Sequence, residues 1–526
     1  MIEKGVIMVS KKDREAEQVL PLGSTLLGKY SFTSNEIPVT VYIIKKKDDF
    51  VPTYFVSISE ISEHTEIILD QIRDKLIEQV NLELRELLQE ERQSEVEKTF
   101  MRNIRLLVEK YFPDLDEKAV HYLSTYLIQK SLGMGKIEIL MDDPNLEEIA
   151  INSASEPVWV YQRKFGWLKT NIWVKSEDEI KHYATMIGRK VDRQISVLNP
   201  LMDANLLGGD RVNATMAPIS LRGNTITLRK FASKPWTITD FIKNETISVM
   251  AAAILWLSVQ YELSIIIAGG TASGKTSMLN VVANFFPPNQ RIISIEDTHE
   301  LRLPKFLHWI PMITRTPNPE GKGGITMLDL LVNSLRMRPD RLIVGEIRRQ
   351  REAEVLFEAI HTGHSVYATV HANTAFEAIT RLTSPPISIP KSMIPAVSVI
   401  LVQFRNRRTG LRKTFQVAEV TETGDARVLI QYQQGSREFK ETPFFKKTLA
   451  RGNTKTRSTL FSKISLFTGM TLPQIMRDLE EKKAVLKWMV KNDVDSVDEV
   501  GRVMGLYYTN KEGLMEAVKA NKKLGG

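Results

Sequence analysis

Cysteine is absent from all 526 residues. That excludes a disulfide framework and any thiolate metal site, and it fits a chain that works in a reducing cytoplasm. The eight histidines show no metal-ligand spacing. A bilayer-spanning run is missing as well: the best candidate, Ile247 to Val259, is about thirteen residues long, where a spanning helix takes about twenty. It is expected to be a core helix packed beside whatever fold it leads into. Met1 to Lys12 lack the apolar segment of a secretory signal, so any membrane association is expected to be peripheral. An arginine-rich helix and an aromatic base-stacking platform are also missing, which argues against specific nucleic-acid recognition. The formal charge of +8 is a modest excess over this length and speaks mainly to solubility, with some affinity for acidic surfaces.

What the chain does contain is Gly269-Gly270-Thr271-Ala272-Ser273-Gly274-Lys275-Thr276. The apolar run Leu263 to Ala268 precedes it, and Ser277 and then Met278-Leu279-Asn280-Val281-Val282 follow, so the segment sits between a buried strand and an amphipathic helix. That is the setting of a phosphate-binding loop. Its glycines let successive amides turn inward on phosphate oxygens, and the helix N-terminus adds partial positive charge. Gly269 through Ser277 are thus expected to cradle a nucleotide such as ATP. Lys275 is expected to reach the terminal phosphates and the Thr276 hydroxyl to ligate Mg2+.

Three further apolar runs end in residues with chemistry. Arg291 to Ile295 leads into Glu296-Asp297, Arg341 to Val344 into Gly345-Glu346-Ile347-Arg348, and Ser365 to Val370 into His371. Acids at the carboxyl ends of such strands lie in the crevice where α/β sheets bind ligands. Glu346 follows a glycine where an aspartate commonly stands; it is expected to order the metal shell and to polarise an attacking water. Upstream, Arg211 and Arg229 stand at strand ends, where a solvated arginine is the ordinary case and a functional one the exception.

These motifs, in this order, resemble those of the secretion-superfamily ATPases that drive type II secretion, type IV pilus assembly and archaellum assembly. Ile295 to Leu301 is similar to the family's aspartate box, and Thr362-Gly363-His364 through Thr369-Val370-His371-Ala372-Asn373 with Arg381 to its histidine box. Gly209-Asp210-Arg211-Val212 and Thr227 to Phe231 match the domain that precedes the nucleotide fold. The missing zinc-binding cysteines and Thr314 to Gly321 look most like the archaeal, archaellum-motor branch. Arg349 departs from the aspartate found in many relatives. The resemblance implies a RecA-like P-loop ATPase working as a homo-hexamer at the cytoplasmic membrane face. It implies a polytopic membrane platform protein and accessory cytoplasmic motor proteins as partners, and no specific nucleic acid. Glu296 and His371 would sense the γ-phosphate, and Arg211 and Arg229 would act at a subunit boundary. A DNA-translocating ATPase and a nucleotide-gated scaffold without turnover are the competing classes.

The fold class is α/β, with a smaller α+β domain before the ATPase domain. The expected divisions are an α+β extension over 1–112, the smaller domain over 113–231, a hinge over 232–237, the RecA-like domain over 238–435, and a mainly helical region over 436–526. Within the extension, Leu76, Val80, Leu84 and Leu87 recur at helical spacing. The basic, polar stretch Gly435 to Arg457 reads as a mobile connection. A helix is expected to start at the capping box Thr471-Leu472-Pro473-Gln474.

Overall fold

The computed structural model describes residues 24–523, apart from 36, 48, 59–62, 81–92, 192, 207–208, 232–234, 318–320, 407 and 452–457. Most of the amphipathic pattern from Leu76 to Leu87 and half of the expected hinge lie outside the described residues. The chain forms two compact units, Met1–Ala232 and Ser233–Gly526.

The first unit is built on one nine-stranded sheet: β1 (Ser24–Ser34), β2 (Ile37–Lys46), β3 (Thr53–Ile58), β4 (Leu146–Ile151), β5 (Trp159–Gln162), β6 (Gly166–Thr170), β7 (Leu201–Asn205), β8 (Arg211–Thr215) and β9 (Thr225–Arg229). Their order is β1-β2-β3-β6-β5-β4-β9-β8-β7. Helices α1 (Glu63–Val80), α2 (Gln93–Tyr111), α3 (Glu117–Leu132), α4 (Lys136–Asp142) and α5 (Glu177–Lys190) accompany it. On β2, Ile37, Val39, Val41 and Ile43 are all fully buried, the period-two pattern of a strand with one face on the core. The division expected near residue 112 falls inside this unit. β3 pairs with β6 in parallel, Thr53 opposite Lys169, and the buried Asp143 accepts hydrogen bonds from Tyr30 at 2.6 Å and Tyr54 at 2.5 Å. Those contacts span about 90 residues or more of chain, so no local pattern announces them.

In the second unit, α6 (Ile238–Lys243) starts from a capping box in which Thr237 and Asp240 satisfy each other's free groups. The apolar run then forms α7 (Val249–Gln260), with Ala251 through Val259 buried all round, so it is a core helix. The sheet comprises β10 (Ile265–Gly269), β11 (Arg291–Glu296), β12 (His308–Ile313), β13 (Arg341–Val344), β14 (Ser365–Val370), β15 (Val399–Arg405), β16 (Arg412–Val420), β17 (Ala426–Gln433) and β18 (Glu438–Glu441). Its order is β12-β11-β13-β14-β10-β15-β16-β17-β18. The first six strands in that order run parallel and the last three continue as an antiparallel meander. Helices α8 (Lys275–Ala283), α9 (Met327–Ser334), α10 (Gln350–His361) and α11 (Ala375–Thr383) belong to the crossovers. This is the α/β class expected.

The stretch read as a mobile connection is ordered over much of its length. β18 extends the sheet with Phe439 opposite Tyr432, and α12 (Pro443–Arg451) buries Phe445 completely. Proline at the first helical position and one aromatic anchor were enough, against a polar background. The chain ends in α13 (Thr459–Thr468), α14 (Leu472–Lys491), α15 (Val497–Thr509) and α16 (Lys511–Lys519), with α14 starting at the capping box of Thr471 and Gln474. These helices share a single hydrophobic core with α7 and β10. Trp256 of α7 stacks on Phe285 at 5.6 Å and donates to the Tyr508 hydroxyl at 3.0 Å. Below them Asp478 and Lys482 form a buried ion pair at 2.6 Å.

Candidate nucleotide site

Four neighbouring strands of the second sheet, β11, β13, β14 and β10, stand side by side and parallel, so their carboxyl ends form one row. From that row emerge Asp297, Glu346, His371 and the loop Gly270 to Thr276, gathered at one sheet edge from across the chain.

The loop is shaped by local sterics. Gly274 has φ 94°, a left-handed value that glycine adopts without penalty, and it leads directly into α8. A Cβ on Gly269 would lie 2.4 Å from Ser273 Oγ and 2.7 Å from the carbonyl oxygen of Gln403, so a side chain there has no room. Gly270 O accepts from Ser273 Oγ at 2.8 Å and from Lys275 Nζ at 3.3 Å, and Arg412 Nε donates to Ala272 O at 3.0 Å. Thr271 and Ala272 are exposed, while Lys275, Thr276 and Ser277 are half-buried on the first turn of α8. Burial pulls the Lys275 pKa below its usual value, with Glu346 and Glu300 opposing.

Glu346 sits on an extended segment pinned by Gly345 N to Ile295 O at 2.8 Å and Ile347 N to Thr369 O at 2.9 Å. The period of two puts Glu346 and Arg348 on one side of that segment. Arg348 holds Glu346 Oε2 through Nε at 2.8 Å and reaches Asp297 Oδ2 at 2.7 Å, while His371 Nε2 meets Glu346 Oε1 at 2.8 Å. Thr314 Oγ1 donates to Asp297 Oδ1 at 3.1 Å. Burial, with nearby Lys275 adding to it, lowers the His371 pKa, while Glu346 opposes the shift. Arg381 on α11 adds further positive charge near that ring.

Glu296 is placed differently from the others. It is 2% exposed, and its oxygens accept from the amides of Glu300 at 3.0 Å and Leu301 at 3.2 Å and lie 3.3 Å from His299 Nδ1. Its carboxylate organises its own loop, and the adjacent Asp297 is the acid tied to Glu346 through Arg348. Sequence reasoning put Asp297 beside Glu296 at the ligand crevice without a role of its own and gave Arg348 no role; the signal for Arg348 was its two-residue spacing from Glu346 on a strand end. Arg211 and Arg229 lie in the first unit, directly opposite each other on β8 and β9 and both exposed, with Arg211 bound to Asp203 at 2.6 Å.

Among the described residues no group of three or more acidic, histidine or cysteine side chains is placed to hold a metal ion. A magnesium ion in P-loop chemistry needs less, because phosphate oxygens and water supply most of its shell and the protein adds a hydroxyl and a carboxylate acting through water. Thr276 and Glu346 fit that donor set.

The family model described as "Type II/IV secretion system protein" matches residues 203–426, from β7 to the start of β17. An uncharacterised protein of Methanocaldococcus jannaschii is 37% identical over 59% of this chain and 56% of its own length. A second from that organism is 44% identical over 35% of this chain and 68% of its own. The type IV secretion system protein PtlH of Bordetella pertussis is 29% identical over 51% of this chain and 88% of its own. Among solved structures, the Legionella pneumophila ATPase DotB is similar at 18% identity with a TM-score of 0.40, covering 70% of this chain and 94% of its own. The chain spans about half the length of the first curated relatives it matches. The phosphate-binding loop and the Glu346 and His371 strand ends all lie inside the matched region, and the chain belongs to the type II/IV secretion system protein family.

Proposed function

We propose that this chain is an ATP-hydrolysing motor that works as a homo-hexamer at the cytoplasmic membrane face and moves a membrane platform protein to assemble a type IV pilin-like filament such as the archaellum. The observation that carries the chemistry is the convergence of the Lys275 loop, Glu346 and His371 on adjacent strand ends. Loop amides and Lys275 hold the phosphates, and Thr276 with Glu346 serves the magnesium ion, which supplies charge neutralisation at the phosphates when bound. Glu346 accepts a proton from the water that attacks the γ-phosphorus as the bridging P–O bond to ADP breaks. Arg348 and His371 set the position of that carboxylate. Arg211 and Arg229 bring positive charge to the γ-phosphate from the smaller domain or from a neighbouring subunit.

The filament reading draws on the cysteine-free chain and on the resemblance of Thr314 to Gly321 to the archaellum-motor branch. PtlH, named for type IV secretion, favours a second reading in which the motor transfers a macromolecule, DNA included. One measurement tests the nucleotide site that both readings share, and a second separates them. Lys275→Ala should abolish tight ATP binding, because the charge facing the β- and γ-phosphates is gone while the loop backbone remains; undiminished affinity in a titration removes the nucleotide-site reading. ATP turnover stimulated severalfold by added DNA would replace the filament motor with the translocase.

A further inference from the structure

Among the described residues of the first unit, five well-exposed aliphatic side chains lie on two turns and at the start of β7. Val197 is 67% exposed, Leu198 91%, Leu201 64%, Ile219 59% and Leu221 95%. Soluble chains place polar residues and glycine at such tips, and contiguous exposed apolar groups mark an interaction site. The first turn is closed by Ser196 N to Asn199 O at 3.0 Å and Asn199 N to Ser196 Oγ at 3.2 Å, which puts Val197 and Leu198 at its corners. The second is closed by Ile219 N to Met216 O at 3.2 Å, with Ala217 N bound to Asn224 Oδ1 at 2.9 Å. Met216 N to Pro200 O at 2.8 Å joins their bases, and the buried Ile195 and Met216 anchor each from beneath. The tips are therefore rigidly presented and many of their backbone polar groups are already satisfied.

Their place on the sheet matters. Arg211 and Arg229 pair at one end of β8 and β9; the turns leave from the other end, where Thr215 lies opposite Thr225. The corner is also cationic. Exposed Arg189 and Lys190 close α5, whose Gly188 accepts from Arg193 N at 2.8 Å, and exposed Arg222 follows Leu221. From Arg193 to Leu201 and from Met216 to Gly223 no acid occurs; Asp203 beyond them is paired with Arg211, and the Glu177 carboxylate beside Gly223 is held by the amides of Ala154 and Asn224.

We propose that this corner docks on an anionic lipid surface, with Val197, Leu198, Ile219 and Leu221 entering the headgroup region and Arg189, Lys190 and Arg222 meeting lipid phosphates. Separate aliphatic tips with a basic surround suit a fluid, negatively charged interface, where apolar insertion and electrostatic attraction add. The surface is distinct from the nucleotide site, and its occupancy is measured without nucleotide.

The test is flotation of the full chain with vesicles of phosphatidylcholine containing about one third phosphatidylglycerol, against vesicles of phosphatidylcholine alone. The native chain should float with the anionic vesicles only, and less so at high salt. Leu198→Asp with Leu221→Asp should lower the partition at least tenfold, and Arg222→Glu severalfold. Both changes fall on exposed side chains, so ATP binding and circular dichroism should be unchanged. Equal flotation of native and variant chains, or no flotation of the native chain, overturns the proposal. A shift in oligomer mass of the variants with unaltered flotation also overturns it and assigns the corner to contacts between copies. Loss of ATP binding in the native chain would sink the motor reading alone.

Discussion

At the edge of the second sheet, Glu346 lies between His371 and Arg348 with contacts of 2.7–2.8 Å; under the C-terminal helices, Asp478 accepts from Lys482, Tyr507 and Tyr261 at 2.6–2.9 Å. Each is a carboxylate held by cationic and neutral donors, and distance alone does not tell them apart. Burial does. Lys482 is fully buried and Asp478 6% exposed, whereas the Arg348 and His371 side chains are 60% and 47% exposed. The buried pair is enclosed on most sides, with Lys482 also lying over the rings of Trp256 and Tyr507 and Lys511 reaching Asp478 at 3.6 Å from the surface. The other cluster sets Lys275, Arg348 and Arg381 near His371 and the half-buried Glu346 and faces solvent, so its cations can exchange partners for a polyanion. Charge enclosed by hydrogen-bonding partners holds the fold together; charge left with exposed donors at strand ends is available for chemistry.

Breaking one partner in each cluster should separate these roles. Asp478→Asn should destabilise the second unit by about 3–5 kcal/mol, since the Lys482 charge is then buried without compensation, and Lys482→Met by less, since Asp478 keeps Lys511, Tyr507 and Tyr261. Replacing both, Asp478→Leu with Lys482→Met, should return most of that stability in chemical denaturation. Two equally harmless single variants would mean that the pair is hydrated and the contrast is void.

For the site, Arg211→Ala or Arg229→Ala should lower turnover by about 10³-fold or more with ATP affinity kept, if either arginine neutralises the γ-phosphate. Mixing such a chain with Lys275→Ala chains should restore part of the activity where the arginine serves a neighbour's site. A solvated strand-end arginine predicts ordinary turnover from the single variants.

The smallest expected effect lies between the two clusters. A Cβ on Gly501 of α15 would come 2.4 Å from Pro304 Cγ, in the loop that follows Glu296. Gly501→Ala should therefore cost about 1–3 kcal/mol through overpacking, outweighing the gain in helix propensity of about 1 kcal/mol, and it should raise the KM for ATP more than it lowers kcat. Unchanged stability and kinetics would disconnect the C-terminal helices from the nucleotide loop.

How much of this was legible depended on the range of the interactions. The loop from Gly269 to Ser277, the core helix after Ile247 and the strand ends at Glu346 and His371 rest on local pattern and could be read directly. β1 was missed because it is an edge strand with polar residues and Gly28 in its run, without a fully apolar face. The continuity of the first unit was missed because β3 meets β6 across more than a hundred residues. Arg348 and Asp297 are joined only when β11 and β13 become neighbours, with Ile295 opposite Val344. Glu296 read as a site acid from its position, and only the backbone conformation after it turns its carboxylate inward.

The central claim is that Glu346, positioned by Arg348 and His371, is the base for water at a nucleotide held by the Lys275 loop. Glu346→Gln tests it most directly, because the amide keeps the shape and one acceptor but cannot take a proton. ATP should bind with near-native affinity while single-turnover hydrolysis falls by about 10² to 10⁴-fold. Hydrolysis at the native rate, with binding intact, would contradict the account and leave the base to another residue.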